Sequence, residues 1–297
     1  MKISLPTITL LALGAISVAM TSRVRAEDAL LIEPTWKAGK KYTCEHTQNV
    51  VIAIGEGDQA VENPVNVSIS FEAGVSAHGA EGGKAVSFKA TKVKMSMSMF
   101  GQAAEFDSEN QEKQSADLAA MLGGVLDTKD LKVIFDKDDK FLKFEGEQKA
   151  QDAGGAPGLA PMQFGNNEIR QLLAYCVRSF PDNPIKKGDK WTSEESVNLN
   201  LGAAEVKMNM TAMDPNDKGQ PVIAYESKID AKFPEGGVSA GGKGEGSMQG
   251  EMIYDPEKAI IVAHTAGIAM KVNLSGLELP IRQSANTTVV KVEDIAK

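Results

Sequence analysis

"KAVSFKATKVKMSMSMF", Lys84 to Phe100, alternates apolar and polar side chains along most of its length, and this alternation decides the fold. In an extended chain successive side chains point to opposite faces, so one set is buried and the other stays wet. The same period recurs in "VSISF" (Val67 to Phe71), "AEVKMNMTA" (Ala204 to Ala212), "VIAYESKIDAKF" (Val222 to Phe233), "GIAMKVNL" (Gly267 to Leu274) and "NTTVVKVEDI" (Asn286 to Ile295). Most of the chain therefore reads as antiparallel sheet with one buried face.

Two stretches break the pattern. "NNEIRQLLAYCVRSF" places Ile169, Leu172, Leu173, Cys176, Val177 and Phe180 at helical spacing, with Asn166 or Asn167 as a cap and Pro181 as a stop, and predicts a helix over 167–180. "SADLAAMLGGVL" predicts a weaker helix over 115–126 that contains Gly123 and Gly124. Turn chemistry marks "GAEGGK" at Gly79, "DPNDKG" at Asp214 and "DPEK" at Asp255. "GGVSAGGKGEG", Gly236 to Gly246, reads as a mobile glycine-rich loop, and the Gly-, Ala- and Pro-rich run from Gly146 to Gly165 as a linker.

One phrase occurs twice. "KAGKKYTCEHTQN" from Lys37 and "KKGDKWTSEESVN" from Lys186 share Lys, Gly, Lys, Thr, Glu and Asn at an offset of 149 residues, with Tyr42 opposite Trp191. Each is followed by a strand, an acidic turn and a strand: "VIFDKDDKFLK" (Val133 to Lys143) and "MIYDPEKAIIV" (Met252 to Val262). The order implies an internal repeat. The expected organisation is a β module over 27–146 with its helix near 115–126, a linker and helix over 147–184, and a second β module over 185–297.

Residues 1–26 read as a cleaved export signal. Lys2 gives a positive start, "LPTITLLALGAISVAM" is an apolar run too short for a spanning helix, and "VRA" ends at Ala26 with small residues at the cleavage positions. The full chain carries a net charge of -8. Removing Lys2, Arg23 and Arg25 leaves 29 bases against 40 acids, or -11. This balance argues against nucleic acid and anionic membrane surfaces as partners, and no integral membrane segment is expected after cleavage. With 5% aromatics and 28 glycines, the core must rely on Val, Ile, Leu, Ala and Met. Cys44 and Cys176, in an exported chain, either form one disulfide or stand as two buried thiols.

Chemistry-bearing motifs are few. "GVSAG" places Ser239 in a GxSxG pattern, but the helix that would hold a nucleophile on a strained turn is replaced by "GKGEG". Met95, Met97 and Met99 share one strand face and offer soft ligands for Cu(I), with Met208 and Met210 repeating the spacing; the same residues suit the core of an aromatic-poor sheet. Asp136, Asp138, Asp139, Asp214 and Asn216 fit solvated turns better than a calcium loop, because lysines interrupt the ligand positions. His46 shares a strand face with Cys44, but Ser193 and Glu195 occupy those places in the second phrase, and no third orienting group is in view.

An export signal, "WKAGKKY", a helix running into "FPDNPIKKGDKW" and a later "GEMIYDPEK" together resemble a family of exported bacterial proteins known only as a domain of unknown function. The marks are Pro184, Gly188, Asp189, Trp191 and Asp255. That resemblance implies no activity and no site residues. In outline, curved sheets around a helix are also similar to the envelope half-barrels that carry lipoproteins or lipids.

The expectation is a mainly β protein with a minor α+β component: two related, curved antiparallel sheets or half-barrels with one or two packed helices. Its expected role is that of an exported, non-enzymatic binding or interaction module for an apolar ligand or an envelope component, without a cofactor. A hydrolase with a site of dispersed acids and a Met-based copper protein are the alternatives.

Overall fold

The computed structural model describes residues 29–55, 60–99, 101–126, 128, 131–146, 166–178, 180–198, 203–236, 239–274 and 277–295. The expected export signal and most of the expected linker, 147–165, lie outside them. Twelve strands form one antiparallel sheet. They are β1 (Lys40–Ile54), β2 (Val61–His78), β3 (Gly83–Met99), β4 (Gln102–Asp107), β5 (Lys132–Phe135), β6 (Phe141–Glu145), β7 (Lys190–Asn198), β8 (Ala203–Ala212), β9 (Val222–Gly236), β10 (Ser239–Asp255), β11 (Ile260–Leu274) and β12 (Leu277–Asp294). The helices are α1 (Ala116–Leu126) and α2 (Asn166–Ala174).

The spatial order is β6-β5-β3-β2-β1-β12-β11-β10-β9-β8-β7, with β4 beside β3. The second half of the chain is a meander, the first is one except that β4 and β5 both pair with β3, and the halves meet where β1 pairs with β12, from Lys40 opposite Asp294 to Ile52 opposite Ile281. The mainly β half-barrel with packed helices is therefore what forms. The correction concerns number: where two sheets were expected, a single one runs through both halves. The cause is apolar continuity, because Cys44 and Val50 on β1 present the same buried face as Ile281, Ala285 and Val289 on β12. The sheet stays open, with β6 and β7 as its edges. Bulges at Thr43/Cys44, Ser70/Phe71, Ile134/Phe135 and Ile253/Tyr254 add local bend and twist to it.

The twin phrases turn out to be the same turn. Gly39 (φ 82°) and Gly188 (φ 84°) sit in the left-handed region, and each amide donates to a strand carbonyl, of Val75 and Ala212 respectively, at 2.8 Å. Tyr42 is fully buried edge-on to Trp36, with ring centroids 4.8 Å apart, whereas Trp191 is half-buried against Phe180 on the edge strand β7. The acidic hairpins are likewise turns. Asp136 Oδ1 accepts from the amides of Asp138 and Lys140, and Asn216 Oδ1 accepts from those of Lys218 and Gln220.

Inward side chains of the sheet merge into one apolar core. α1 runs unbroken through Gly123 and Gly124 and contributes Leu118, Leu122 and Val125 to it. The glycine-rich segment expected to be a loop is strand: Gly242 to Gly246 pair with both β9 and β11. Glycine is required there by close approach rather than by looseness. A Cβ on Gly246 would collide with the Ala269 carbonyl, and one on Gly250 with the Thr265 carbonyl and the Tyr225 hydroxyl lying across it.

Candidate functional site

α2 presents two stripes. Ile169, Leu172 and Leu173 are buried in the core, while Asn167, Arg170, Gln171 and Ala174 recur at helical spacing on a stripe that faces a cavity. The expected helix reached residue 180, but the α-helix ends at Ala174. Beyond it the chain tightens, with Cys176 N donating to Leu173 O at 3.1 Å and Val177 N to Ala174 O at 3.3 Å. The tightening has a partner on the sheet: Ile261 N on β11 donates to the freed Cys176 carbonyl at 3.0 Å. This capture aims Tyr175 and Arg178 at the inner face.

Four rings stack there. Tyr175 lies 4.3 Å from His264, nearly parallel at 19°, and 6.4 Å from His46; His264 in turn lies 5.6 Å from Tyr225 at 5°. The Arg178 guanidinium covers Tyr175 and Tyr225 at 5.7 and 5.8 Å and pairs with Glu195 of β7 at 3.0 Å. Only 8% of the Arg178 side chain is exposed, so the pair is strongly held by its surroundings.

Hydrogen bonding fixes the tautomer of His264. The Tyr225 hydroxyl gives its one proton to the Thr265 carbonyl at 2.8 Å. At 3.0 Å from that hydroxyl, His264 Nε2 must therefore be the donor, which leaves Nδ1 a bare acceptor. Nδ1 is buried without a partner among the described residues, as is Arg178 Nε. Burial, with Arg178 and His46 adding to it, holds the His264 pKa well below the usual histidine range. Burial also lowers His46 to about 4, raises Tyr175 to about 12, and pushes Tyr225 and Glu195 upward. Near neutral pH both histidines are uncharged and both tyrosines protonated.

A partly open cavity of about 200 Å3 adjoins this cluster. Phe135, Phe141, Met248 and Ile268 form its apolar side, and Arg170, Gln171, Arg178 and Glu195 its polar side. A larger hollow of about 520 Å3 lies on the outward face of β1 to β4 and β12, but its side chains already bond one another. Asn49 donates to Asn66 at 2.6 Å, Asn66 to Ser96 at 3.3 Å, and Lys94 pairs with Asp107 at 2.8 Å. The inner cavity is the one with unmet polar groups.

Residues 81–261 match the family of unknown function DUF6263. The chain belongs to that family. The resemblance to a domain of unknown function is thereby borne out. Tyr175, Arg178, Glu195 and Tyr225 fall inside the DUF6263 match, and His46 and His264 outside it. No curated protein matches the chain. Among solved structures, one of lipid–protein interactions in lipovitellin is similar in fold, with TM-score 0.53 and 9% identity, covering 89% of this chain and 26% of that one. This DUF6263 chain thus spans about a quarter of that protein's length. DynF from the dynemicin biosynthesis pathway of Micromonospora chersina matches with TM-score 0.24 and 4% identity over 89% and 86% of the two chains. A lipoprotein-sorting protein domain from Vibrio parahaemolyticus matches with TM-score 0.17 and 8% identity over 84% and 85%.

The motifs noted in the sequence lie in several places. Met95 and Met97 are buried core side chains, Met95 opposite Val67 and Phe106; the Met99 side chain lies outside the described residues. Met208 and Met210 are buried on β8, with six strands between it and β3. Among the described residues no three His, Cys, Asp or Glu side chains converge as metal ligands. Ser239 opens β10 and leads into strand rather than helix. Cys44 and Cys176 are both buried and free; the neighbouring Cys176 thiol and burial together push the Cys44 thiol well above its usual range, while Cys176 Sγ donates to the Leu172 carbonyl at 4.0 Å. Buried acids are occupied structurally: Asp139 binds Lys84 at 2.6 Å and Thr35 at 2.5 Å, and Asp255 binds Lys258 and its own turn amides.

The cluster itself was missed in the sequence, apart from His46. One signal was available. Beyond residue 26 the chain has three arginines, Arg170, Arg178 and Arg282, and two of them line this cavity.

Proposed function

We propose that the protein is an exported, non-enzymatic binding protein whose half-barrel holds an apolar ligand in the cavity under α2, within the bacterial envelope. The observation that carries the reading is this cavity: a hollow bounded by Phe135, Phe141, Met248 and Ile268, with unpaired polar atoms in the cluster beside it. The likeness in fold to lipovitellin supports it as an analogy. No helix among the described residues is long and apolar enough to cross a membrane. The protonation states add weight, because a neutral histidine held far below its usual range is a poor general base near pH 7.

At roughly 30 Å3 per water, about 200 Å3 takes the first few heavy atoms of a chain together with its head, so the remainder of a longer ligand leaves through the open side. We read the two halves as copies of one β module, supported by the matching turns at Gly39 and Gly188. In an oxidising compartment Cys44 and Cys176 would close as a disulfide tying the end of α2 to β1. Intact mass under non-reducing conditions reads this as the loss of two hydrogens.

The ligand reading is tested by organic extraction and mass spectrometry of protein purified without detergent, beside an Ala266→Phe variant that fills the cavity. The expected result is an apolar molecule at near-stoichiometric yield from the parent and its loss from the variant. A clean extract from the parent, together with no uptake of added single-chain amphiphiles, overturns the proposal.

A further inference from the structure

We infer that the ligand carries an anionic head, a carboxylate or a phosphate, which Arg170 receives while its chain lies against Phe135, Phe141, Met248 and Ile268. The inference rests on the apolar-ligand reading and adds the chemistry of the head. Arg178 is already neutralised by Glu195 at 3.0 Å. Arg170 is not: its guanidinium lies over the Phe141 ring at 5.3 Å, half-buried, with no carboxylate within salt-bridge distance among the described residues. The cavity thus holds two arginines against one glutamate in a chain whose acids outnumber its bases, 40 to 32.

The choice of arginine matters, since nearly all other bases beyond residue 26 are lysines. A planar guanidinium matches the paired oxygens of a carboxylate or phosphate and tolerates loss of water better than an ammonium. The Phe141 ring beneath it holds the guanidinium at the cavity wall. Gln171 and Asn167, on the same stripe of α2, supply neutral donors beside it.

The test is calorimetric titration of the full chain, below micelle formation, with decanoate, decyl phosphate and 1-decanol, repeated on Arg170→Ala, Arg170→Gln and Arg170→Lys. At least one anion is expected to bind about tenfold tighter than 1-decanol. Ala and Gln should remove that advantage, Lys should keep part of it, and salt should shrink it. The tighter of the two anions tells a free fatty acid from a phosphate-headed lipid, and either supports the inference. If 1-decanol binds as tightly as both anions, or Arg170→Ala keeps the preference, the head assignment is overturned and the apolar reading stands. If none of the three binds, both fall.

Discussion

The two halves of the sheet bury their inner faces in different ways. From β1 to β5 the face is aromatic and aliphatic: Ile69, Phe71, Phe88 and Val93 are closed over with help from Leu118, Leu122 and Val125 of α1. Its buried polar side chains are His46, which belongs to the cluster, and Asn63, which donates to the carbonyls of Ile52 and Val61. From β7 to β12 the inner face carries Glu195, Tyr225, Ser227, His264 and Thr287, and glycines where large side chains would otherwise stand. The first half is packed mostly side chain against side chain, and it lends Phe135 and Phe141 to the apolar wall of the cavity and His46 to the cluster. The second holds polar groups that its own side chains do not fully satisfy, an arrangement that costs stability and therefore points to a use.

The contrast predicts where substitutions hurt. Phe88→Ala, which removes a ring stacked on Phe71 at 5.0 Å, should lower unfolding free energy by about 3–5 kcal/mol in urea titrations while leaving ligand affinity of the folded fraction intact. A loss of affinity without a loss of stability would place the binding face in the wrong half.

Acid should act through the cluster. His46 binds its proton at about pH 4 in the folded state against about 6.5 unfolded, so the unfolded chain takes up more protons as pH falls between those values. Stability is full above pH 6.5 and declines toward pH 4, by on the order of 3 kcal/mol from this residue, with His264 adding in the same direction. His46→Gln, which keeps a polar group for Thr287 Oγ1, should flatten the decline measured by thermal melts across that range. An unchanged slope would mean that the acid sensitivity lies elsewhere.

Gly250→Ala forces a methyl group against the Thr265 carbonyl and Tyr225, and should cost roughly 1–3 kcal/mol. Pairing it with Tyr225→Ala should recover the part due to the ring, read as a double-mutant cycle. The smallest effect belongs to His264→Phe. Phenylalanine keeps the stack with Tyr175 and Tyr225 and deletes the unpartnered Nδ1, so stability should stay level or rise by up to about 1 kcal/mol. A marked drop would show that the His264 to Tyr225 hydrogen bond is structural in its own right.

Much of the fold was legible because alternation is a local property. Period two in Lys84 to Phe100 gives a strand with one buried face whatever its partner, and helical spacing gives α2 in the same way. The pairing of β1 with β12 was not legible, since their alternation fits any neighbour and the two lie at opposite ends of the chain. Gly242 to Gly246 misled because glycine signals a loop in isolation, while here Gly246 answers to close approach of the Ala269 carbonyl, as Gly250 further along the strand does to the Thr265 carbonyl and Tyr225. His46, Tyr175, Arg178, Glu195, Tyr225 and His264 meet only after the sheet has formed. His46 and Glu195, which stand at corresponding places in the twin phrases, both join the cluster.

Hydrogen exchange of the full chain with and without decanoate tests the central claim most directly. The account predicts slowed exchange in α2 and along β9 to β11 around Tyr225, Met248 and His264, with β2 and β3 unchanged. Slowing confined to β2 and β3, or none under conditions where titration shows binding, would contradict it.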